Sequence, residues 1–376
     1  MRDVVIVGGG PVGTMLGCVL AVGGLDVEVL EQRTEPSLRS RAIGIHPPSL
    51  RALAGIGVAD RLLERAVKIR AGEVRCDERR LGQMSFAGAA PQYPFVVALP
   101  QYETEALLRA RFEQLRPGRY RSGVTVTGVQ ESDDVVAVST DSGPVEARYV
   151  IGADGARSRV REQAGIMWRG HGGRETYLMG DFVDPNPGDT GAVLYFERGG
   201  VVESFPLPGA RRRWVAMTDR LATEADSAEL AALIRHRTGV CVAAPLGPAS
   251  AFEAQQHLAA RLHSQRGRIV LVGDAAHQIS PIGGQGMNLG WLDAIALAPA
   301  LQRALLDPAS ATAALADYDR VRRRAARRAV LQAGFNMEMG RSARGLRLGA
   351  RNTLVRALTL PPANELVARA FTMRWL

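Results

Sequence analysis

The first 31 residues constrain this chain more than any other stretch. Val4–Val7 is a short β-branched run, the pattern of a strand buried on both faces of a parallel sheet. Gly8, Gly10 and Gly13 follow at once in Gly-x-Gly-x-x-Gly spacing around Pro11 and Val12, and Met15–Val22 then reads as an apolar helix. Each glycine has a physical task. Gly8 permits the tight turn, Gly10 lets backbone approach a pyrophosphate, and Gly13 lets helix and strand pack closely. The helix N-terminus supplies free N–H groups and positive dipole to the phosphates. A second strand, Val27–Leu30, ends on Glu31, about twenty residues past the glycines, where a carboxylate would hydrogen-bond both hydroxyls of an adenosine ribose. Strand, turn, helix, strand and acid in this register form a complete βαβ dinucleotide unit. Glu31 would repel a 2′-phosphate, so the resident dinucleotide is expected to be FAD or NAD rather than NADP.

A second glycine-rich segment, "GDAAHQISPIGGQGMN" at 273–288, chooses between them. Arg268–Val272 reads as another buried strand ended by Gly273-Asp274, and in an open α/β sheet ligands sit beyond the carboxyl ends of the strands. Asp274 should therefore reach the same crevice as Gly8–Gly13. After the Pro281 turn, Gly283, Gly284 and Gly286 bring backbone close to a ligand, and a helix over Met287–Leu301 points its N-terminus there. FAD accounts for both segments: its ribityl chain offers hydroxyls to Asp274, and a helix start at Gly286-Met287-Asn288 would stabilise negative charge on its reduced ring. NAD would leave the second segment without a purpose. No residue is singled out for covalent attachment, so the FAD is expected to be non-covalent.

With 376 residues, 46% of them apolar, the chain can bury a large core and exceeds one ordinary domain, so two interleaved domains are expected. The net charge of +9 comes from scattered arginines with few aromatics among them, which argues against a nucleic-acid partner. Cys18, Cys76 and Cys241 are odd in number and far apart, which suits neither a disulfide framework nor a metal motif and favours a cytoplasmic setting. His46, His171, His236, His257, His263 and His277 lack ligand spacing, so no metal is expected. No uninterrupted apolar stretch reaches the roughly 18 residues of a transmembrane segment.

At this point the chain resembles the class A flavoprotein monooxygenases of the para-hydroxybenzoate hydroxylase type, over most of its length and through three motifs in order. The family's first glycine motif lies at Gly8, Gly10 and Gly13. Its central Asp-Gly motif is matched by "YVIGADGARSRVR" at 149–161, and its Gly-Asp motif by "GDAAHQISPIGGQGMNLGWLDA" at 273–294. "LPQYETEALLRARF", from 99, resembles the flavin-contacting glutamine segment and implicates Gln101. "EQRTEPSLRSRAIGIHPPSL", from 31, maps Glu31, Arg33 and Arg41 to FAD contacts. Ala296 and Thr104 depart from the asparagine and leucine common in the family. Asp154 has two readings, a carboxylate holding its own loop or one serving FAD and nicotinamide binding, as the family's motif does.

The resemblance implies that NADH or NADPH, as a transient reductant, reduces FAD, that O₂ adds at flavin C4a, and that the hydroperoxide passes oxygen to an electron-rich ring. The implied partners are an aromatic or polyketide-like small molecule, O₂ and NAD(P)H, with the protein a monomer or homodimer. Pro281 should line the oxygen site, and His46 and Tyr195 are the candidates for contacting substrate. No second glycine fingerprint serves a nicotinamide; "RGHGGRE" at 169–175 neither follows a strand nor opens a helix. An FAD-dependent reductase acting on a prenyl or polyketide substrate without oxygen insertion is the alternative. A halogenase lacks its Trp-x-Trp-x-Ile-Pro signature here, since Trp168, Trp214, Trp291 and Trp375 stand alone.

The expected fold is therefore α/β: an FAD-binding Rossmann-like domain of the GR2 type from 1–71, 100–166 and 266–300, an interleaved antiparallel-sheet substrate domain from 72–99 and 167–265, and C-terminal helices over 301–376. Short strand-like runs such as Ala192–Phe196 and Trp214–Thr218 carry that sheet, with a helix over Glu224–Thr238. "RVRRRAARR" at 320–328 reads as a solvated face.

Overall fold

A computed structural model describes residues 1–37, 42–88, 90–170, 175–280 and 282–374. The βαβ unit forms as the residue pattern dictates. The strand Arg2–Val7 is followed by the helix Pro11–Val22 and the strand Val27–Glu31, whose five residues are all buried. Arg2–Val7 pairs in parallel with Val27–Glu31 on one side and with Val145–Gly152 on the other, and Ile269–Leu271 extends the parallel set beyond Val145–Gly152. The carboxyl ends of these strands therefore share one edge, where Ala153 N donates to Val7 O at 2.8 Å and Val272 N to Gly152 O at 3.0 Å. Residues far apart in sequence, 8, 154 and 274, meet there because parallel strands must all run the same way.

The second large sheet has seven strands in the order Ser250–Ala254, Glu175–Val183, Arg211–Thr218, Gly200–Leu207, Ala192–Glu197, Ala71–Cys76 and Arg79–Ser85. All its pairs are antiparallel except Ala192–Glu197 with Ala71–Cys76, which is parallel. The chain leaves this sheet after Ser85 and returns only after passing through the first sheet, and a long crossover of that kind permits a parallel neighbour. Val96–Ala98 joins neither large sheet; it pairs with Gly44–Ile45 and Val67–Ile69. The helix expected from Glu224 begins at Ser227, because the Asp226 carboxylate accepts the Ala228 amide at 3.0 Å and caps it there.

Four helices close the chain: Gln285–Leu306, Ala311–Gly340, Gly345–Leu358 and Ala363–Phe371. Gln285–Leu306 is long and apolar enough to cross a bilayer, yet it is a core helix packed on Pro11–Val22, with Trp291 fully buried and its indole N–H donated to Pro11 O at 2.9 Å. Arg322 corrects the solvated-face reading of "RVRRRAARR". It is buried and pairs with the fully buried Asp293, its Nε 2.7 Å from Oδ1. Alanines on the same face of the helix, Ala325, Ala326 and Ala329, are buried with it, while most of its other arginines stay at the surface.

Candidate functional site

A cavity of about 980 Å³ runs from the shared carboxyl edge of the first sheet to the inner face of the second. At its first end the Gly8–Gly13 turn is set by close approach. Gly8 has φ +108°, and a Cβ there would lie 2.3 Å from Ala153 O; a Cβ on Gly13 would lie 1.9 Å from Gly8 O. Gly10 differs. It faces the cavity with nothing within 4 Å of a Cβ, and the helix that starts after it has no side-chain cap. Its amides are thus left for a ligand to satisfy, as the turn's spacing requires of a phosphate site.

Glu31 lines the same end, held in place by neighbours rather than free to swing. One carboxylate oxygen accepts the Gly9 amide at 2.8 Å, and the other accepts the backbone N–H and Nε of Arg33, both at 2.9 Å. Gln101 opens the helix Gln101–Leu115 at the wall and donates to Glu105 at 2.7 Å. Asp154 braces its own loop and also lines the cavity. Oδ2 accepts the Val160 amide at 3.2 Å and so braces the helix that Ser158 caps, whereas Oδ1 is buried without a partner among the described residues. Burial pushes this carboxyl above the usual aspartate range. An orphaned acceptor at the cavity wall, open space at Gly10 and an exposed Asp274 suit a ligand carrying hydroxyls and phosphates.

At the far end of the crevice, Gly284 takes a left-handed conformation, φ +65°, and starts the helix at Gln285, two residues before the expected Met287. Gly286 and Met287 line the cavity; Asn288 does not. Its Oδ1 accepts the His46 amide at 2.9 Å, and its Nδ2 donates to Gly44 O and Gly284 O at 2.9 and 2.8 Å. Asn288 therefore positions the wall rather than reaching a ligand through its side chain. Gly13 likewise packs behind the turn. His46 lines the cavity with Nε2 3.3 Å from Gly283 O and its ring edge-on to Phe371 at 5.7 Å. Burial lowers its pKa to about 4, so it is a neutral ring at neutral pH and not a cationic anchor.

Tyr195 requires a correction. On the strand Ala192–Glu197 it is Leu194 and Phe196 that line the cavity, and alternation sends Tyr195 to the opposite face, where it stacks on Trp214 at 5.9 Å beneath the helix Ser227–Thr238. It does not line this cavity. Arg41 and Pro281 lie outside the described residues.

Two groups were not singled out in the sequence. Glu203 is the one carboxyl of the strand Gly200–Leu207 and lines the cavity; its signal is a lone charge in an apolar run, in phase with Val201 and Phe205. The C-terminal helices also wall the cavity, through Phe335, Met339, Leu358, Val367 and Phe371. An alanine- and arginine-rich tail carries no signal of that role. Together with Val74, Phe86, Val215 and Phe252 they make the compartment beyond the crevice largely apolar.

The family model described as "FAD binding domain" matches residues 1–333. Rifampicin monooxygenase of Streptomyces venezuelae is 32% identical over 312 residues, 79% of this chain and 63% of its own length. Dialkyldecalin synthase of Streptomyces rugosporus is 32% identical over 311 residues, 79% of this chain and 64% of its own. The crystal structure of p-nitrophenol 4-monooxygenase PnpA from Pseudomonas putida DLL-E4 superposes with a TM-score of 0.87 at 25% identity, covering 99% of this chain and 97% of that one. This chain thus spans somewhat under two thirds of the length of the curated relatives it matches. Sequence and geometry agree on one conclusion: the chain belongs to the FAD-binding-domain family, on the fold shared with the flavin-dependent monooxygenases.

Proposed function

We propose that the protein is an FAD-dependent monooxygenase that uses NADH or NADPH and O₂ to hydroxylate an apolar aromatic or polyketide-like small molecule. The observation that carries this reading is the single continuous cavity. Gly8, Gly10 and Asp274 line one end and the apolar sheet face lines the other, so a flavin held at the first end would present its ring to whatever fills the second. Bound FAD supplies the oxygen-activating chemistry. The protein's own share is placement and water exclusion. Gly10 and the helix start behind it would hold the pyrophosphate, Glu31 the adenosine ribose and Asp274 the ribityl chain, with Gly286 and Met287 on the side of the flavin ring. In this reading segments 1–71, 100–166 and 266–300 serve the cofactor, and 72–99 and 167–265 the substrate. The three cysteines are free thiols, which suits a reducing, cytoplasmic setting.

The test is incubation of the purified protein with FAD, NADH or NADPH, O₂ and a panel of phenols, quinolones and polycyclic phenols. A product heavier by one oxygen is expected. Protein that takes up no FAD, or that oxidises no NAD(P)H with any of the panel, would sink the reading. A second reading, turnover without oxygen insertion, is favoured by one observation, the likeness to dialkyldecalin synthase. It is met if substrate is converted under argon to a product that has gained no oxygen.

A further inference from the structure

Glu203 stands in surroundings that suit a carboxylate poorly. Its cross-strand neighbours are Leu194 and Val215, and its neighbours along the same strand face are Val201 and Phe205; all four line the cavity. It is 6% exposed, and among the described residues it makes no hydrogen bond or ion pair. The charged groups that could have paired with it are engaged elsewhere. Arg213, on the neighbouring strand, forks onto Asp181 at 2.6 and 2.8 Å; Arg75 pairs with Glu73; Arg341, at the end of its helix, takes Glu175. Glu253 accepts from Gln255 at 3.1 Å, Tyr177 offers a buried hydroxyl with no partner among the described residues, and His46 is neutral. With no cation to offset it, burial alone lifts the Glu203 carboxyl to about 7.

A buried acceptor left unsatisfied is costly, and a ligand that supplies a donor relieves that cost. We propose that Glu203 is the specificity-determining residue of the apolar compartment: it accepts a hydrogen bond from a ring hydroxyl of a neutral aromatic substrate and turns away aromatic carboxylates. The assignment rests on the aromatic-substrate reading above and narrows it. Drawing the hydroxyl proton toward the carboxylate also enriches the ring in electrons, which a ring undergoing hydroxylation must supply.

The experiment is calorimetric titration of the purified, FAD-supplemented protein with 2-naphthol, 2-methoxynaphthalene and 2-naphthoate, in wild type, Glu203→Gln and Glu203→Leu, with FAD occupancy read alongside to show that each variant is folded. In the wild type 2-naphthol should bind roughly tenfold or more tighter than its methyl ether, the worth of a hydrogen bond to a charged acceptor. The preference should grow, and naphthoate binding weaken, as pH rises through about 7. In Glu203→Gln both pH dependences should vanish and naphthoate should gain. In Glu203→Leu the naphthol preference should collapse while FAD occupancy holds. Equal binding of naphthol and its ether by the wild type, unchanged preferences in both variants, or no binding of any probe would overturn the assignment. The outcome is separable from that of the proposed reaction. Naphthol selectivity without an oxygenated product would sink the monooxygenase reading and leave Glu203 in place; an oxygenated product with no loss of selectivity in the variants would do the reverse.

Discussion

At the scale of single residues, the two ends of the glycine turn make opposite demands. Gly8 and Gly10 look alike in the sequence, but a Cβ at Gly8 would strike Ala153 O at 2.3 Å with φ at +108°, while Gly10 has open space within 4 Å. Gly8→Ala should therefore destabilise the fold, whereas Gly10→Val should leave the melting temperature near that of the wild type and abolish FAD binding. Melting curves and FAD stoichiometry on both variants separate the two effects; a folded Gly10→Val protein with full FAD would show that the turn does not face a phosphate. Asp274→Ala should weaken FAD by about ten- to a hundredfold, the loss of one charge-assisted hydrogen bond, with turnover restored by excess FAD. Full occupancy with turnover still down about a thousandfold would instead place Asp274 in acid–base chemistry. For Glu203 the sign is that of an acid whose pKa is raised on folding, from 4.5 to about 7. The folded state holds the extra proton between those values, so stability falls as pH rises through that window, by up to about 3 kcal/mol. Glu203→Gln should be the more stable protein at about pH 8 and lose that advantage near pH 5 in denaturant titrations.

At the scale of elements, the helices Gln285–Leu306 and Ala311–Gly340 are joined by a buried network. Asp293 accepts from Arg322 at 2.7 Å, contacts His277 Nε2 at 2.6 Å and accepts the Gly273 amide at 3.0 Å. Burial alone would raise the Asp293 carboxyl, but the facing His277 and Arg322 hold it below the ordinary range. The network ties the turn that carries Asp274 to two helices at once. Asp293→Ala leaves Arg322 buried without its counter-charge and should cost about 3–5 kcal/mol, while a double replacement, Asp293→Leu with Arg322→Met, should recover most of it. Equal stability of the single variant and the wild type in chemical denaturation would refute this account. The arginine run could not reveal the network, because exposed and buried arginines are the same letter and only the packing of the helix decides which is which.

At the scale of the whole molecule, the helix Ala363–Phe371 walls the cavity through Val367 and Phe371. Phe371 stacks on Phe86 at 5.6 Å, just past the strand Arg79–Ser85, and meets the His46 ring edge-on at 5.7 Å. Phe371→Ala should leave FAD binding intact but admit water to the apolar compartment. In the proposed reaction this appears as a larger share of NAD(P)H oxidation ending in hydrogen peroxide rather than in oxygenated product. Peroxide yields matched to the wild type would mean that the helix does not seal the site.

The local parts of this architecture were legible because their physics is local. Val4–Val7, the three glycines, the helix and Glu31 lie within one turn-and-crossover, and strand-end acids such as Asp154 and Asp274 are carried to one edge by the parallel order of their strands. The helix start at 285 was missed by two residues because Gly284 itself takes the left-handed conformation that begins it. What the tertiary structure alone decided depends on which face meets which. Tyr195 lost its candidacy to Leu194 and Phe196 by one step of strand alternation, and a period of two cannot say which face the cavity will take. Glu203 gained its place because Leu194 and Val215 face it across the sheet and Val201 and Phe205 flank it on the cavity side. The chain's own order of residues determined a dinucleotide crevice; the chemistry of the compartment beside it arose only when distant segments folded against one another and removed one carboxylate from water.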